Sequence, residues 1–567
     1  MFIELKKHVA EILASALDIE AEEIEDMLEV PSNVTFGDLA LPCFKLSKKL
    51  NASANKIARD ITNRVAVRVK GDRYIEHIAC IGAYVNFKFN WKRVGKKIIK
   101  RILDEGARYG SSKEGAGKTI VIDYSAPNIA KPMSVGHLRS TIIGDALKRI
   151  YSFLGYTCIG DLHQGDWGTQ FGKLICAYKL WGDEDRLKKD AIRHLLELYV
   201  RFHKEAENRP ELEDEARAWF KRLEEGDKDA IKLWKLFSNL SLKEFDRIYR
   251  LLGVSFELKL GESFYNTHAK RIVKRLLDLG IAKYSENAVI IDLERYSLPP
   301  LVIQKSDETT LYSTRDLATI EYREREFKPS KILYVVGLEQ KLYFQQVFKV
   351  AELMGFNAKK YVHVDFGLIT LPEGKLSTRK GRVIFLEDVI NKGIELALKI
   401  IREKGIVKEN EKEVAKKVAI GAIKYADLSQ NRIKNITFSW SKMLNFEGNS
   451  GPYLQYTYAR ARSILRKGSM PTNFNTDLLQ DKREIEIIKT LSLFPLIVKK
   501  AAKEYEPHHI ANYVYKLAEA FNEFYQSVPV LRAESSVRDA RLALVKATAI
   551  VIRNGLNLLG IEAIEQM

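Results

Sequence analysis

Hydrophobic and polar positions alternate between a two-residue and a 3.6-residue period along the chain, which predicts a mixed α/β protein. From residue 111 to about 390, short apolar runs read as strands and are separated by amphipathic helical segments, as in IVIDYSA, YTCIGDLH, KILYVVG and YVHVDFG. Such alternation is typical of a doubly wound, Rossmann-type parallel sheet. A charged, mainly helical stretch followed by short strands interrupts it at about 178–300, which predicts a helical and mixed insertion.

The two ends of the chain have different patterns. Residues 1–110 open with an amphipathic helix, continue with alternating runs such as YIEHIAC and AYVNFKF, and close on a basic helix, so they predict a small α+β domain. After residue 390 long amphipathic helices continue to the end, and no further strand is predicted. We interpret 391–419 as a connecting helical segment and 420–567 as an all-α bundle.

Composition adds a charge imbalance. The 567 residues include 92 Lys and Arg against 74 Asp and Glu, a formal charge of +18, with 25 Tyr and 25 Phe among them. This favours a polyanionic partner such as nucleic acid, although a basic enzyme surface explains the charge equally well. The cysteines form no CxxC pair, and we find no membrane-length apolar run and no signal peptide, so a cytoplasmic location is expected.

The loop PNIAKPMSVGH (127–137) follows a predicted strand and opens a helix near Leu138. Gly136 allows close backbone approach, His137 lies at the helix N-terminus, and Lys131 adds an ammonium one loop earlier. Free N–H groups and the positive helix end suit the phosphates of a nucleotide. Taken alone, an xxGH sequence is more often a turn with a surface histidine.

A second basic loop, GKLSTRKGR (374–382), lies between the run YVHVDFGLI and the segment VIFLEDVI. Its four cations include Lys375, and two glycines flank them, so the loop is suited to phosphate contacts. A solvated basic hairpin is the alternative interpretation.

Together these features resemble the class I aminoacyl-tRNA synthetases, with SVGH in the place of the HIGH signature and KLSTR in the place of KMSKS. The resemblance narrows to the arginyl-tRNA synthetase family and covers essentially the whole chain. The motifs that carry it are SAPNIAKPMSVGHLRST (125–141), GDWGTQFG (165–172), LYSTRDLATIEYR (311–323), KLSTRKGRV, YADLSQNRI (425–433), FEGNSGPYLQYTYARARSI (446–464) and the terminal LLGIEAIEQM.

This resemblance implies an arginine-specific ligase with a class I Rossmann-type catalytic domain. ATP activates arginine to arginyl-adenylate, and the arginyl group is transferred to the 3′-terminal adenosine of tRNA(Arg). The N-terminal domain would contact tRNA, and the bundle would bind the anticodon. Magnesium is expected with the ATP phosphates rather than at a ligand cluster of the protein, no membrane contact is expected, and a monomer is the family expectation.

The chemistry requires positioning and cations rather than a general base, because the attacking carboxylate of arginine is already ionised. The resemblance gives catalytic roles to His137, Lys375, Lys131 and Ser134, with Lys131 standing in for the second KMSKS lysine, which is Thr378 here. It places ATP at Gly136, His137, Lys375 and Ser377. Ser134 replaces the first HIGH histidine, and Leu162 and Tyr343 also depart from common family residues.

A guanidinium is best held by forked carboxylates and an aromatic ring. By resemblance these are Asp123, Asp316 and Tyr312, while Asn128 and Gln340 hold the α-amino end. From the residues alone, Asp316 could instead charge a helix start and Tyr312 could pack in a core. Two buried carboxylates should reject lysine or citrulline without an editing site.

Aromatic and basic residues alternate in the bundle motif, as expected where unstacked anticodon bases are read. The tRNA-binding candidates are Tyr453, Gln455, Tyr458 and Arg462, beside Tyr456 and Arg460 in the same motif, and Asn86 in the N-terminal domain. Core packing is the alternative for the aromatics.

Two other functions remain open from the sequence. A tRNA-binding paralogue with weakened or lost activation would explain the replaced signature histidine, but the retained His137, Lys131, Lys375, Asp123 and Asp316 argue against it. A small-molecule adenylyltransferase would leave both terminal domains unexplained.

Overall fold

The computed structural model describes residues 1–567 except 32, 287, 307–308, 371–383, 408 and 470–472. It confirms the predicted class, because it joins an antiparallel α+β unit, a parallel central sheet and a helical C-terminal part. None of the helices in the described part of the chain is long and apolar enough to cross a membrane.

The N-terminal unit is built around a three-stranded antiparallel sheet of order β1-β3-β2. Its core is formed by apolar faces of the flanking helices, such as Leu5, Val9 and Leu13 of the first helix. The elements are α1 (Phe2–Leu17), α2 (Ala21–Met27), β1 (Leu39–Pro42), α3 (Ala54–Val69), β2 (Ile75–Ile81), β3 (Tyr84–Phe89) and α4 (Trp91–Glu105).

The central part alternates strands and helices as predicted. Its elements are β4 (Thr119–Asp123), α5 (Val135–Phe153), β5 (Thr157–Asp161), α6 (Thr169–Trp181), α7 (Glu184–Lys189), α8 (Ala191–Ala206), α9 (Glu211–Glu224), α10 (Lys228–Leu252), α11 (Glu262–Asp278), β6 (Lys283–Ser285), β7 (Ala288–Ile291), β8 (Leu301–Gln304), α12 (Tyr312–Phe327), β9 (Lys331–Tyr334), α13 (Lys341–Leu353), β10 (Tyr361–His363), β11 (Ile369–Thr370) and α14 (Leu386–Lys404).

Four parallel strands, in the order β10-β9-β4-β5, form the central sheet. β4 and β9 are apolar on both faces because helices cover both sides of a parallel sheet. Between β5 and β9 the chain leaves the sheet for helices α6–α10 and then for the antiparallel sheet β6-β7-β8. The carboxyl ends of β4, β5 and β9 therefore meet at one edge, where ligands bind in folds of this class.

The C-terminal part is helical, with α15 (Glu411–Leu428), β12 (Ile436–Thr437), α16 (Trp440–Met443), α17 (Gly451–Lys467), α18 (Lys482–Glu504), α19 (His508–Ser527) and α20 (Ser535–Leu558). β12 corrects the expectation of no strand after residue 390: it pairs in parallel with β11. A strand of two residues is too short to show a period, so only its distant partner defines it. Helix α5 also starts earlier than expected, at Val135.

A buried ion pair connects the central sheet to the helical part. Arg139 of α5 binds Asp427 of α15, and its Nη1 donates to the carbonyl oxygens of Gly367 and Lys434 at 2.7 and 2.8 Å. Both charged side chains are almost fully buried, and such pairs are costly to break by removing one partner. The N-terminus of α5 is thereby held in a defined position.

Candidate active site

The loop between β4 and α5 is strained and firmly held. Ser125, Ala126 and Ala130 have φ angles of 77°, 35° and 61°, in the left-handed region that such residues rarely adopt. Helix α10 of the insertion supports the loop, because Ser241 Oγ accepts from the Ala130 N–H at 3.0 Å and the Tyr249 hydroxyl lies 2.7 Å from Ser125 Oγ. Strain of this kind clusters at functional sites.

Ser134 caps α5 and orients His137. The Ser134 N–H donates to Nδ1 of His137 at 3.1 Å, and Ser134 Oγ lies 3.2 Å from the same atom. Because Nδ1 accepts, the neutral ring carries its proton on Nε2. Burial lowers the pKa of His137, with Lys131 adding to the effect, so the ring is neutral at physiological pH. Gly136, which lies between Ser134 and His137 on the same turn, is exposed.

Lys131 lies beside this turn, partly buried, with its Nζ 4.9 Å from the ring centroid of Tyr199 in α8. Lys375 and Ser377 lie outside the described residues. The chain that follows them returns directly to this site: the Val135 N–H donates to the Ile384 carbonyl oxygen at 3.3 Å, and the Leu386 N–H to that of Met133 at 2.8 Å.

Asp123 ends β4 in a buried charge cluster that sequence reasoning missed. Arg323 of α12 donates to Oδ2 of Asp123 at 2.6 Å and to Oδ2 of Asp161, at the end of β5, at 2.7 Å. Burial raises the pKa of Asp161, and the Arg323 guanidinium opposes that shift. The spacing along α12 could have indicated that Arg323 lies in the pocket, because a residue seven positions after Asp316 lies on the same helix face.

Asp316 lies on the first turns of α12, facing this cluster. It accepts a hydrogen bond from the Tyr343 hydroxyl, and its Oδ1 lies 3.8 Å from Nε2 of His163. Burial raises the pKa of Asp316 to about 7, while the Tyr343 hydrogen bond acts in the opposite direction. The exposed Tyr312 ring lies 5.0 Å from the Tyr343 ring. Tyr343, a departure from the common family residue, is thus a partner of the predicted carboxylate.

Several buried polar atoms in this region have no hydrogen-bond partner among the described residues. They are Asp161 Oδ1, both ring nitrogens of His163, Arg323 Nη1, and the hydroxyls of Tyr265 and Tyr334. Burial lowers the pKa of His163 to about 4, so this imidazole is neutral. Buried polar atoms are normally paired, and a concentration of unpaired ones fits a pocket built for a polar ligand.

The remaining predicted ligands flank the pocket differently. Asn128 lies against Gly165 of the GDWG motif. A Cβ atom added to Gly165 would lie only 2.4 Å from Oδ1 of Asn128. The backbones pair here too, since the Ile129 N–H donates to the Gly165 carbonyl oxygen at 3.1 Å. A side chain at 165 would therefore displace the Asn128 amide. Gln340 is exposed at the start of α13.

Comparisons with known proteins agree with this geometry. Residues 98–440 match the family described as "tRNA synthetases class I (R), catalytic domain", residues 4–89 the "Arginyl tRNA synthetase N terminal domain" and residues 454–567 the "DALR anticodon binding domain". The chain belongs to the arginyl-tRNA synthetase family.

The similarity to named relatives and to solved structures covers nearly the full length of the chain. The chain is 44% identical over 569 residues to "Arginine--tRNA ligase" of Halothermothrix orenii, covering 100% of both chains, and 46% identical over 553 residues to that of Clostridioides difficile, covering 97% of both. The arginyl-tRNA synthetase structure of Plasmodium falciparum matches with a TM-score of 0.82 at 26% identity, covering 99% of each chain. That of Thermus thermophilus matches in fold, with a TM-score of 0.83 at 23% identity, covering 99% and 100%.

Two of the bundle residues expected to bind tRNA are buried in this structure. The C-terminal tail folds back over α17 and buries Gln455 and Tyr458. Gln455 Nε2 donates to the Glu562 carbonyl oxygen at 2.9 Å, and the Tyr458 hydroxyl donates to Glu565 at 2.6 Å. Arg462 also binds Glu565, at 2.6 Å. These side chains hold the tail, which a sequence pattern of alternating aromatic and basic residues cannot show.

Other residues of α17 line an open groove of about 600 Å³. The Arg460 guanidinium lies between the rings of Tyr456 and Tyr525, 4.9 Å from each centroid. Tyr453 lies beside it and accepts from Asn522 at 2.9 Å. The groove is also lined by Lys467, Arg532 and Met567.

Asn86 is likewise buried. It lies in β3, the central strand of its sheet, where it is 4% exposed and donates to the Tyr84 carbonyl oxygen at 3.3 Å. The exposed aromatic surface of this domain lies close by: Phe44 is half exposed and packs edge-on against Tyr84 at 5.6 Å, and Phe36 is exposed as well.

Proposed function

We propose that this chain ligates arginine to tRNA in two steps at the carboxyl edge of its central sheet. The observation that carries the proposal is the juxtaposition, across one loop, of a helix N-terminus with a neutral His137 and a buried carboxylate pocket around Asp316. The first feature suits ATP phosphates, and the second suits a guanidinium.

In the arginine pocket, Asp316 is the principal ligand. Its pKa of about 7 reflects burial and the nearby carboxylates of Glu262 and Asp123, and a bound guanidinium would stabilise its charged form. Asp123 shares one oxygen with Arg323, so it offers the substrate its remaining oxygen. Tyr312 would cover the guanidinium, while Asn128 and Gln340 would bind the α-amino end. A lysine or citrulline side chain would leave the carboxylates poorly paired.

Activation needs no proton removal, because the arginine carboxylate attacks the α-phosphate of ATP directly. His137 can donate from Nε2 to a phosphate oxygen, Gly136 lets the chain approach, and Lys131 neutralises charge that develops in the transition state. Ser134 serves as the residue that orients His137. Lys375 and Ser377 would complete the phosphate site.

Magnesium would enter bound to the phosphates of ATP. In such sites the substrate phosphates supply ligands to the ion, and the protein adds one or two carboxylates. In the described part of the chain, the group of three metal-type ligands lies at 506–509, not in this loop.

For tRNA, we assign the anticodon to the groove around Arg460, because an arginine between two tyrosine rings offers both charge and stacking surface to an unstacked base. Phe44 and Tyr84 offer a stacking surface in the N-terminal domain, in place of Asn86. We retain the domain limits 1–110, 111–390, 391–419 and 420–567, a monomeric state and a cytoplasmic location; the four unpaired cysteines support the last.

Aminoacylation of total tRNA with each radiolabelled amino acid in turn tests the proposal. Arginine alone should be incorporated. Incorporation of another amino acid, or tRNA binding without any incorporation, would refute it; the second result is the one a paralogue that had lost activation would give. The orientation of His137 by Ser134 favours the active enzyme.

A further inference from the structure

The turn between α18 and α19 gathers two imidazoles and two carboxylates away from the β4–α5 loop. Oε2 of Glu506 lies 3.1 Å from Nδ1 of His508 and 3.6 Å from Nε2 of His509. Oε2 of Glu504 lies 2.6 Å from the same Nε2. The ligand atoms of Glu506, His508 and His509 all lie within 4.8 Å of one another.

We propose that this turn binds a zinc-type divalent cation. Tetrahedral Zn²⁺ with bonds of about 2.0–2.1 Å requires ligand atoms about 3.3 Å apart. The three carboxylate–imidazole distances differ from that value by at most about 0.7 Å, and the ligand atoms of Glu506, His508 and His509 all lie within 4.8 Å of one another. Small side-chain rotations would therefore complete the site. Imidazole and carboxylate are ligands of Zn²⁺, and the two carboxylates balance its charge.

The ligands are oriented by neighbours, as in established metal sites. Asn431, which follows α15, donates from Nδ2 to Oε1 of Glu506 at 3.1 Å and leaves Oε2 toward the imidazoles. Lys331 of β9 donates to the Tyr505 hydroxyl at 2.8 Å. The turn is thus held from the sheet side before any cation binds.

Burial and access also fit a cation site. Nδ1 of His508 makes no geometrically acceptable hydrogen bond within the described residues. His508, His509 and Glu506 are mostly buried, whereas Glu504 is 46% exposed and leaves an entry path.

A bound cation would stiffen the turn by which the bundle contacts the central sheet, since its ligands lie in the bundle and Lys331 of β9 binds the adjacent Tyr505. Binding to the folded chain raises its stability by mass action. The melting temperature of the whole protein should therefore rise with the concentration of added metal.

Titration of the metal-free full-length chain with Co²⁺ alone tests this site. The visible spectrum of Co²⁺ distinguishes four-coordinate from six-coordinate ions. One equivalent should give the four-coordinate spectrum, should be displaced by Zn²⁺, and should raise the melting temperature. The double variant His508→Asn, His509→Asn should lose both effects, whereas His77→Asn, an exposed histidine of β2, should retain them.

A graded variant separates metal binding from folding. Asn431→Ala keeps every ligand, and loss of such a support should weaken Co²⁺ binding about 10–100-fold. If the double variant does not fold, Glu506→Gln provides the ligand-loss test. A wild-type chain that shows only six-coordinate Co²⁺ at one equivalent, or binding that is equal in wild type and ligand variants, would overturn the proposal.

Discussion

The backbone N–H of Ser134 donates a hydrogen bond to Nδ1 of His137, with the two nitrogens 3.1 Å apart. The residue that replaces the first signature histidine thus sets the tautomer of the second, because a ring that accepts at Nδ1 must donate from Nε2. The interaction uses the main chain of Ser134, while its small side chain fits a buried helix start.

This relationship predicts different outcomes for two substitutions at position 134. Ser134→Ala keeps the N–H and should leave the rate of arginyl-adenylate formation within about threefold of wild type, a loss of one neutral hydrogen bond at most. Ser134→His forces a larger ring into a closely packed loop and should slow the step. Pre-steady-state adenylate formation with tRNA present measures both. A several-fold faster step in Ser134→His would show that the serine slows adenylate formation and that the neighbouring residues do not compensate for it.

Asp316 should control arginine affinity and its pH dependence. Asp316→Asn should raise the KM for arginine far more than the KM for ATP; equal effects would remove Asp316 from the arginine pocket. In the wild-type chain, kcat/KM for arginine should fall as the pH decreases below about 7, because the carboxyl becomes neutral. Tyr343→Phe removes the hydrogen bond that lowers this pKa, so the acid limb should move to higher pH.

The same carboxylate should cost stability. Its folded pKa lies above the ordinary value of 3.8, so the folded state binds the proton more tightly and stability falls as the pH rises from about 4 to 7. Asp316→Asn is therefore expected to melt at a higher temperature than wild type at pH 8, with little difference at pH 4. Thermal melts at both values check this, and a lower melting temperature of the variant at pH 8 would contradict it.

Lys131 should act on the transition state. Lys131→Ala is expected to lower kcat for adenylate formation by at least about 10²-fold with a small change in KM, as for loss of other donors to developing charge. Lys375→Ala should behave alike. Lys113→Ala, before β4, is the matched control and should retain activity. Normal single-turnover activation in Lys131→Ala would leave this lysine as a surface cation.

Arg323 should be a major source of stability. Arg323→Leu leaves Asp123 and Asp161 buried without their counter-charge, and breaking such a cluster costs about 3–5 kcal/mol. Arg325→Leu, on the same helix but in an exposed pair with Glu326, should cost about 0–1 kcal/mol. Urea denaturation of the two variants gives the comparison; similar losses would mean that the buried cluster is not the stronger interaction.

The groove around Arg460 should govern tRNA affinity. Arg460→Ala removes the cation beside two tyrosines and should weaken tRNA binding while ATP binding is unchanged; Arg483→Ala, a partly exposed arginine of α18 paired with Asp481, is the control. Affinity of the wild-type chain should fall steeply with salt. Unaltered tRNA affinity in Arg460→Ala would move the anticodon site elsewhere.

Local residue patterns were sufficient for the fold class, the insertion and the loop that carries Lys131 and His137. Strand and helix periods depend on neighbours a few positions apart, and the motif spacing placed His137 at a helix start next to a glycine. Asp316 and Tyr312 were assigned through the family resemblance of one contiguous motif, which begins α12; from the residues alone, a charged helix start and a core aromatic remained open.

Tertiary structure alone decided which polar residues are free to meet a ligand. Arg323 lies 200 residues from Asp123, and the terminal tail that buries Gln455 and Tyr458 lies about a hundred residues beyond them. An aromatic or amide side chain reads the same in a sequence whether it faces solvent or a returning segment. Whether a side chain is buried or paired with a charge depends on the segment that packs against it. That segment is distant in the sequence, and only the packing of the whole chain determines which one it is.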